Sequence, residues 1–278
     1  MSTSLSQPLI SVCIPAYNNE SFIRETIDCI LHQTYQNWEL IISDDCSKDH
    51  TVDIIKTYTD PRIRLIERQK NSGLVGNWNS LVPELKGEYV KLLCGDDLID
   101  PTCLEKQLAV FLSGNYPGVS LVTAHTRLID ETGKQLFVKK YPFKTGFIPS
   151  KKAIASNFLF GTNTIGEPGA GLFKREVYEK MGSYDASNNY LVDLDFWFKA
   201  LLLGDLYVVP EALASFRINK GATTTKTKNT QAKLFRQFAK KIYDDKRFHI
   251  NLFQYYMACT SASLMQFLRG VVLKVFLK

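Results

Sequence analysis

Two adjacent aspartates follow each of two short apolar runs: Asp44-Asp45 after Trp38 to Ser43, and Asp96-Asp97 after Tyr89 to Leu93. Neighbouring carboxylates repel, so a fold that sets a pair where a buried strand ends usually supplies a cation or hydrogen-bond donors there. A hard divalent metal ion is the first chemistry these residues suggest. Any one of them also has a plainer role open to it, because aspartate at a strand end is a common helix cap. Asp100 fits that role, since the Pro101 that follows suits the first turn of a helix. Asp96 and Asp97 have no need of it.

The elements that must position these acids follow from hydrophobic spacing. Leu9 to Ala16 reads as a strand, and Phe22, Ile23, Ile27, Ile30 and Leu31 then recur at helical intervals. Trp38 to Ser43 and Ile63 to Glu67 are the second and third strands, with Thr51 capping a helix that runs to Tyr58. Beyond the Asn71-Ser72-Gly73 turn, Trp78, Leu81, Val82 and Leu85 share a helical face that Pro83 and Gly87 limit. Tyr89 to Leu93, bracketed by Gly87 and Gly95, is the fourth strand. Alternating strands and helices predict an α/β fold, a Rossmann-like, doubly wound, mostly parallel sheet with right-handed crossovers. Ligands of such sheets bind at the carboxyl ends of the strands. Pro15 to Tyr17, Asp44-Asp45 and Asp96-Asp97 should therefore face one rim. The chain has neither G-x-G-x-x-G nor G-x-x-x-x-G-K-[ST], so no glycine-rich loop cradles phosphates. A divalent cation on Asp96 could neutralise a diphosphate instead.

Composition sets the bounds. With 278 residues, 45% hydrophobic and 22% charged, the chain suits one α/β domain with a C-terminal appendage. The six cysteines contain no C-x-x-C pair and read as reduced thiols, neither a disulfide framework nor a zinc site. No secretory leader and no apolar run of about 20 residues is present, which predicts a cytoplasmic protein. Charge is uneven: from Arg217 onward thirteen Lys and Arg face two Asp, whereas acids outnumber bases in the first 216 residues. The tail is expected to meet an anionic partner.

In combination and order, several motifs resemble the inverting family 2 glycosyltransferases of the GT-A fold. They are Pro15-Ala16-Tyr17-Asn18, Asp44-Asp45-Cys46-Ser47-Lys48-Asp49-His50-Thr51, Asn71-x-Gly73 with Asn79, and Gly87-Glu88-Tyr89 leading to Asp96-Asp97. The resemblance spans roughly the first 215 residues and implies a nucleotide-sugar donor. Pro15, Ala16, Tyr17, Asn18, Asp44, Asp45, Asn71, Gly73, Asp97 and Arg217 are the implied donor contacts, with Asp45 nearest the base. A carboxylate there accepts from a base imide N–H, which favours uracil or thymine. Asp96 is the implied ligand of Mg²⁺ or Mn²⁺, at the end of a D-x-D motif whose first acid is replaced by Cys94.

Further along, Glu167 and Gly169 of the segment Gly166 to Gly171 are implied acceptor contacts, although glycines there also serve simply as turn residues. Asp193-Leu194-Asp195-Phe196-Trp197 resembles the family's E-D-x-D-[FL]-W pattern, which makes Asp193 the general base. Val192 stands where Glu is frequent. Both acids could instead complement a helix dipole, an account adequate for Asp195. Arg217-Ile218-Asn219 resembles an R-x-H position in which Asn219 replaces His and weakens its contacts. A Q-x-x-R-W motif is absent, which favours addition of a single sugar.

The expected layout is a catalytic domain over 1–216, its nucleotide half about 1–115 and its acceptor half about 116–216, then a basic lid loop and amphipathic helices over 217–278. Leu234, Phe235, Phe238, Ala239 and Ile242 share one helical face, expected to pack on the catalytic domain. Leu264, Phe267, Leu268, Val271, Val272 and Val275 share another, edged by Arg269, Lys274 and Lys278. That stripe suits peripheral contact with the inner face of the plasma membrane, near a polysaccharide or lipid-linked glycan acceptor. No nucleic-acid motif accompanies the basic tail. Two other functions compete: a sugar-1-phosphate nucleotidyltransferase, which needs the missing glycine-rich loop, and a catalytically silent nucleotide-sugar binding module, which Cys94 and Asn219 leave open.

Overall fold

The computed structural model describes residues 7–219, 227 and 229–276. Its first half is strand, helix, strand: β1 (Ile10–Ala16), α1 (Ile23–Leu31), β2 (Trp38–Asp44), α2 (Thr51–Ile55), β3 (Ile63–Glu67), α3 (Gly73–Leu81) and β4 (Tyr89–Leu92). The helix into Tyr58 is shorter than expected, because Thr57 and Tyr58 bond back only three residues. Thr51 is also not its cap: Asp49 Oδ1 accepts from Thr51 N at 3.0 Å, and Asp49 does the capping. Pro83 cannot donate to an α-helix, so α3 gives way to a 3₁₀ turn at Val82–Glu84.

The second half adds β5 (Leu98–Ile99), α4 (Cys103–Leu112), β6 (Val119–Ile129), β7 (Gln135–Lys139), β8 (Gly146–Ile148), α5 (Ser150–Phe160), β9 (Leu172–Lys174), α6 (Glu176–Met181), α7 (Val192–Leu203) and β10 (Asp205–Arg217). Two helices follow, α8 (Gln231–Asp244) and α9 (Leu252–Phe276).

One sheet runs in the order β3-β2-β1-β4-β9-β6-β10-β5, with β7 on β6 and β8 on β10. β1 pairs in parallel with both β2 and β4, and β2 with β3, as the alternating pattern predicts. The short β9 is antiparallel to β4 and to β6, so the sheet is mixed at its centre. Successive strand residues point to opposite faces: Val90 and Leu92 enter one core with Trp78, Phe173 and Trp197, while Tyr89 and Leu93 enter the other with Ile14, Ile27 and Leu104. Gly87 admits β4 beside β1, since a Cβ there would lie 2.4 Å from Ser11 N.

Phe235, Phe238, Ala239 and Ile242 of α8 are buried in the first core, so this helix packs as its apolar stripe predicts. α9 closes over α5 at Gly161, whose φ is +75° and whose missing Cβ leaves room for Ala262 N. No helix among the described residues is long and apolar enough to cross a membrane. The expected lid, 220–230, lies mostly outside the described residues.

Candidate active site

The rim at the carboxyl ends of β1 and β2 is laced by short polar side chains. Asn18 N donates to Ser47 Oγ at 2.9 Å, Lys48 N to Asn18 Oδ1 at 2.8 Å and Asn19 N to Thr51 Oγ1 at 2.7 Å. Asn18 adopts a positive φ of 52°, a turn conformation that asparagine tolerates. Asp44 accepts from Ser47 N and Ser47 Oγ, and closes its own turn. Asp45 clamps the next loop: Oδ1 accepts from Ser72 N and Ser72 Oγ, both at 2.8 Å, and Oδ2 from Gly73 N at 2.9 Å. Asn71 Nδ2 returns a bond to Asp45 O at 3.0 Å. Both carboxylates are buried. They hold the rim's shape from beneath, leaving Tyr17 as the exposed ring above it. Asn77, which carried no sequence signal, donates to Ala16 O and to Ser43 O and joins the ends of β1 and β2.

The second acid pair follows β4. Asp97 is buried and its Oδ1 accepts from Arg217 N at 2.9 Å. Asp96 is half-buried, and its Oδ2 accepts from Asn219 Nδ2 at 2.7 Å. The replacement at 219 therefore keeps a contact in the site, made to the acid itself. Arg217 sits behind the turn with its side chain fully buried. Its Nε donates to Asp96 O at 2.8 Å, its Nη1 to Asp130 O and Glu131 O, and its Nη2 to Glu25 Oε2 at 2.7 Å. Every guanidinium nitrogen is thus engaged by the protein, and Arg217 positions the acid turn where a donor contact was expected. Burial pushes the Asp97 carboxyl well above the usual range, with the Asp96 charge adding to the shift. Burial also raises Asp96.

A third group of polar residues closes the site. Asp193 lies in the first turn of α7, where Oδ2 accepts from Asn163 Nδ2 and Oδ1 from Leu194 N, each at 2.7 Å. Burial lifts its carboxyl to about 6, opposed by those hydrogen bonds and by Lys139, and assisted by the Glu167 charge. Lys139 Nζ pairs with Glu167 Oε1 at 2.5 Å, and that ion pair holds Glu167 below the usual range against its burial. Glu167 Oε2 has no hydrogen-bond partner. Cys94 lies among these acids: burial, then the charges of Asp97, Asp96, Asp193 and Glu167, push its thiol far up. A protonated, neutral side chain at this position relieves a cluster already crowded with negative charge.

The fold therefore brings Asp96, Asp97, Glu167 and Asp193 together around Cys94. Gly169 is not exposed for an acceptor; it is buried, and a Cβ there would meet Leu93 Cδ1 at 3.0 Å. Asn79 is likewise internal, exchanging hydrogen bonds with the backbone of Tyr184. Asp195 points to the far side of α7 and pairs with Lys241 of α8. A cavity of ≈ 230 Å³ opens there, between α7 and α8, away from the acid cluster. Asn163 and Lys139 escaped notice because each is an isolated polar residue without spacing to mark it.

Among the described residues no three His, Cys, Asp or Glu side chains form a ready cage for a metal ion. Asp96 nonetheless fits a hard cation held largely by its ligand: it offers carboxylate oxygen, is oriented by Asn219, and lies in a field of buried negative charge that a cation relieves.

Comparison with known proteins agrees with this arrangement. Residues 11–182 match the family model described as Glycosyl transferase family 2. An uncharacterised glycosyltransferase of Rickettsia prowazekii is 30% identical over 229 residues, 82% of this chain and 70% of the relative. Among solved structures, S. aureus TarS in complex with UDP-GlcNAc superposes with a TM-score of 0.68 at 19% identity, over 84% of this chain and 66% of that one. The mannosyltransferase PcManGT of Pyrobaculum calidifontis, in complex with GDP-Man and Mn²⁺, gives 0.64 at 17% identity, over 98% of this chain and 82% of that one. The mixed α/β sheet is of the GT-A kind seen in these structures. With a family match over more than half its length and a relative of this identity across most of it, the chain belongs to glycosyl transferase family 2.

Proposed function

We propose that the protein is an inverting, divalent-metal-dependent glycosyltransferase that moves one sugar from a nucleoside-diphosphate donor to a hydroxyl of a polysaccharide or lipid-linked glycan. The observation that carries this reading is Asp193: a carboxylate oriented by Asn163 and the α7 backbone, raised to about 6, in the same acid cluster as Asp96. A general base works best with a pKa near the working pH, and burial has moved Asp193 toward it.

In this reading the donor lies along the β1, β2 and β4 ends, over the rim that Asn18, Asp44, Asp45, Asn71 and Gly73 shape. Asp45 has used three acceptor positions, and a carboxylate has about four, so one remains for an imide N–H. Asp193 takes the proton of the acceptor hydroxyl while that oxygen forms its bond to the anomeric carbon. The bond from that carbon to the diphosphate oxygen breaks on the opposite face, and the nucleoside diphosphate leaves with the electron pair. One displacement inverts the configuration. Mg²⁺ or Mn²⁺ on Asp96 would supply Lewis-acid stabilisation of that leaving diphosphate. Arg217, from behind, keeps the Asp96-Asp97 turn in place.

A panel of UDP-, dTDP- and GDP-sugars, assayed for nucleoside diphosphate release with Mn²⁺ and extracted glycans as acceptors, tests the reading. Release from a uracil or thymine donor, dependent on acceptor and abolished by EDTA, is expected. Release without any acceptor requirement, or none from the whole panel, would contradict it.

A further inference from the structure

Helix α9 has two faces of unlike character. Its inner face, through Ala258 and Ala262, is buried over α5 and α8. Its outer face carries Phe253, Tyr256, Met257, Leu264, Phe267 and Leu268, all exposed, with Phe253 at 73% and Phe267 at 69%. Intervals of three, four and seven place these side chains on one stripe. No charged residue occurs between Asn251 and Leu268. A solvent-facing helix surface of this length ordinarily bears charges, so the stripe is an unpartnered apolar ridge about 24 Å long.

The flanks carry the charge. Arg236 of α8 reaches across to donate to Ser263 Oγ at 2.9 Å, at the ridge's edge. Lys240 of α8 approaches Tyr243, whose ring packs on Tyr255 of α9 with centroids 5.2 Å apart. Lys233 is exposed on the same helix, and the sequence continues with Arg269, Lys274 and Lys278. Residues 217–278 together carry a surplus of eleven positive charges. That surplus decides between occupants. A second copy would bring two equally basic surfaces face to face, and like charges oppose the contact. A protein partner would need an apolar trough matched to a convex ridge. An anionic bilayer answers both features, since the apolar stripe enters the boundary of headgroups and acyl chains while Lys and Arg meet phosphates.

We propose that α9 is a membrane-docking helix, lying flat in the headgroup layer of an anionic membrane with the stripe from Phe253 to Leu268 inserted. The surface begins well before Leu264 and so is longer than the C-terminal stripe evident in the sequence. It stands independently of the sugar-transfer reading.

Co-sedimentation of the full chain with vesicles of phosphatidylcholine alone, and of phosphatidylcholine with phosphatidylglycerol, tests the proposal. Binding to the anionic vesicles is expected, weakened by salt, and at least about tenfold tighter than to the neutral ones. The double variant Phe253→Glu/Phe267→Glu should lose about tenfold or more of it, because two inserted rings become charged. Its melting temperature should hold, since both side chains are exposed. Unchanged vesicle binding in the variant would overturn the proposal. So would a wild type that binds neither vesicle, whether it sediments as a dimer that the variant dissolves, which assigns the ridge to a second copy, or as a monomer.

Discussion

Replacing Asp193 with Asn is expected to reduce turnover by about 10²–10⁴-fold while nucleotide binding stays within a few-fold of wild type. The amide can still accept a hydrogen bond, from Leu194 N or from Asn163 Nδ2, so the first turn of α7 should survive the change. What is lost is the ability to take a proton from the acceptor. The pH dependence of the wild type follows from the same group. Asp193 must be ionised to act and its carboxyl stands at about 6, so kcat/KM should fall as the pH drops through that value. Stability moves the other way. The folded-state pKa lies above the unfolded one, so the native state binds more protons between about pH 4 and 6 and loses stability as the pH rises through that window. Asn removes that penalty, and the variant should be more stable than wild type at neutral pH by on the order of 1–3 kcal/mol. Kinetics and thermal melts of the two proteins side by side check both signs. A variant that keeps full turnover removes Asp193 from the role of base.

The second large effect concerns folding. Arg217→Met is expected to cost about 3–5 kcal/mol, measurable by urea unfolding. Methionine fills much of the same volume but leaves Glu25 Oε2 and the carbonyls of Asp96, Asp130 and Glu131 without their donor. The backbone N–H of residue 217 still reaches Asp97, so the acid turn loosens without being released entirely. Arg217→Lys should recover only part of the loss, because an ammonium cannot serve those separated acceptors with a planar fork. Equal stability of all three proteins would show that the guanidinium does not hold the turn.

Much of the first half of the fold was legible from the sequence because its physics is local. β1 to β4 are apolar runs closed by turn residues, and β3 spans Ile63–Glu67 as the pattern predicts. The rim followed from topology, since a parallel sheet places its strand ends together. The short antiparallel β9 between β4 and β6 is a different matter: three residues carry no periodicity, and only tertiary pairing makes them a strand. β7 is half-exposed along most of its length and showed no alternation, so Lys139 could not be placed opposite Glu167. Arg217 shows the limit most clearly. Its residue type and position near the acids suggested an anion contact, but charge pattern cannot distinguish a guanidinium facing a ligand from one facing buried carbonyls. Long-range contacts with Glu25 and Asp130 decided it.

The central claim is that the carboxylates at the strand ends form a nucleotide and metal site with Asp96 as its cation ligand. Titration calorimetry of UDP, dTDP and GDP into the purified protein, with and without Mn²⁺, and again into Asp96→Asn, tests it most directly. The account predicts that one uracil or thymine nucleotide binds, that binding needs Mn²⁺, and that it disappears in the variant. Equal binding with and without Mn²⁺, unaffected by the Asp96 change, would contradict it.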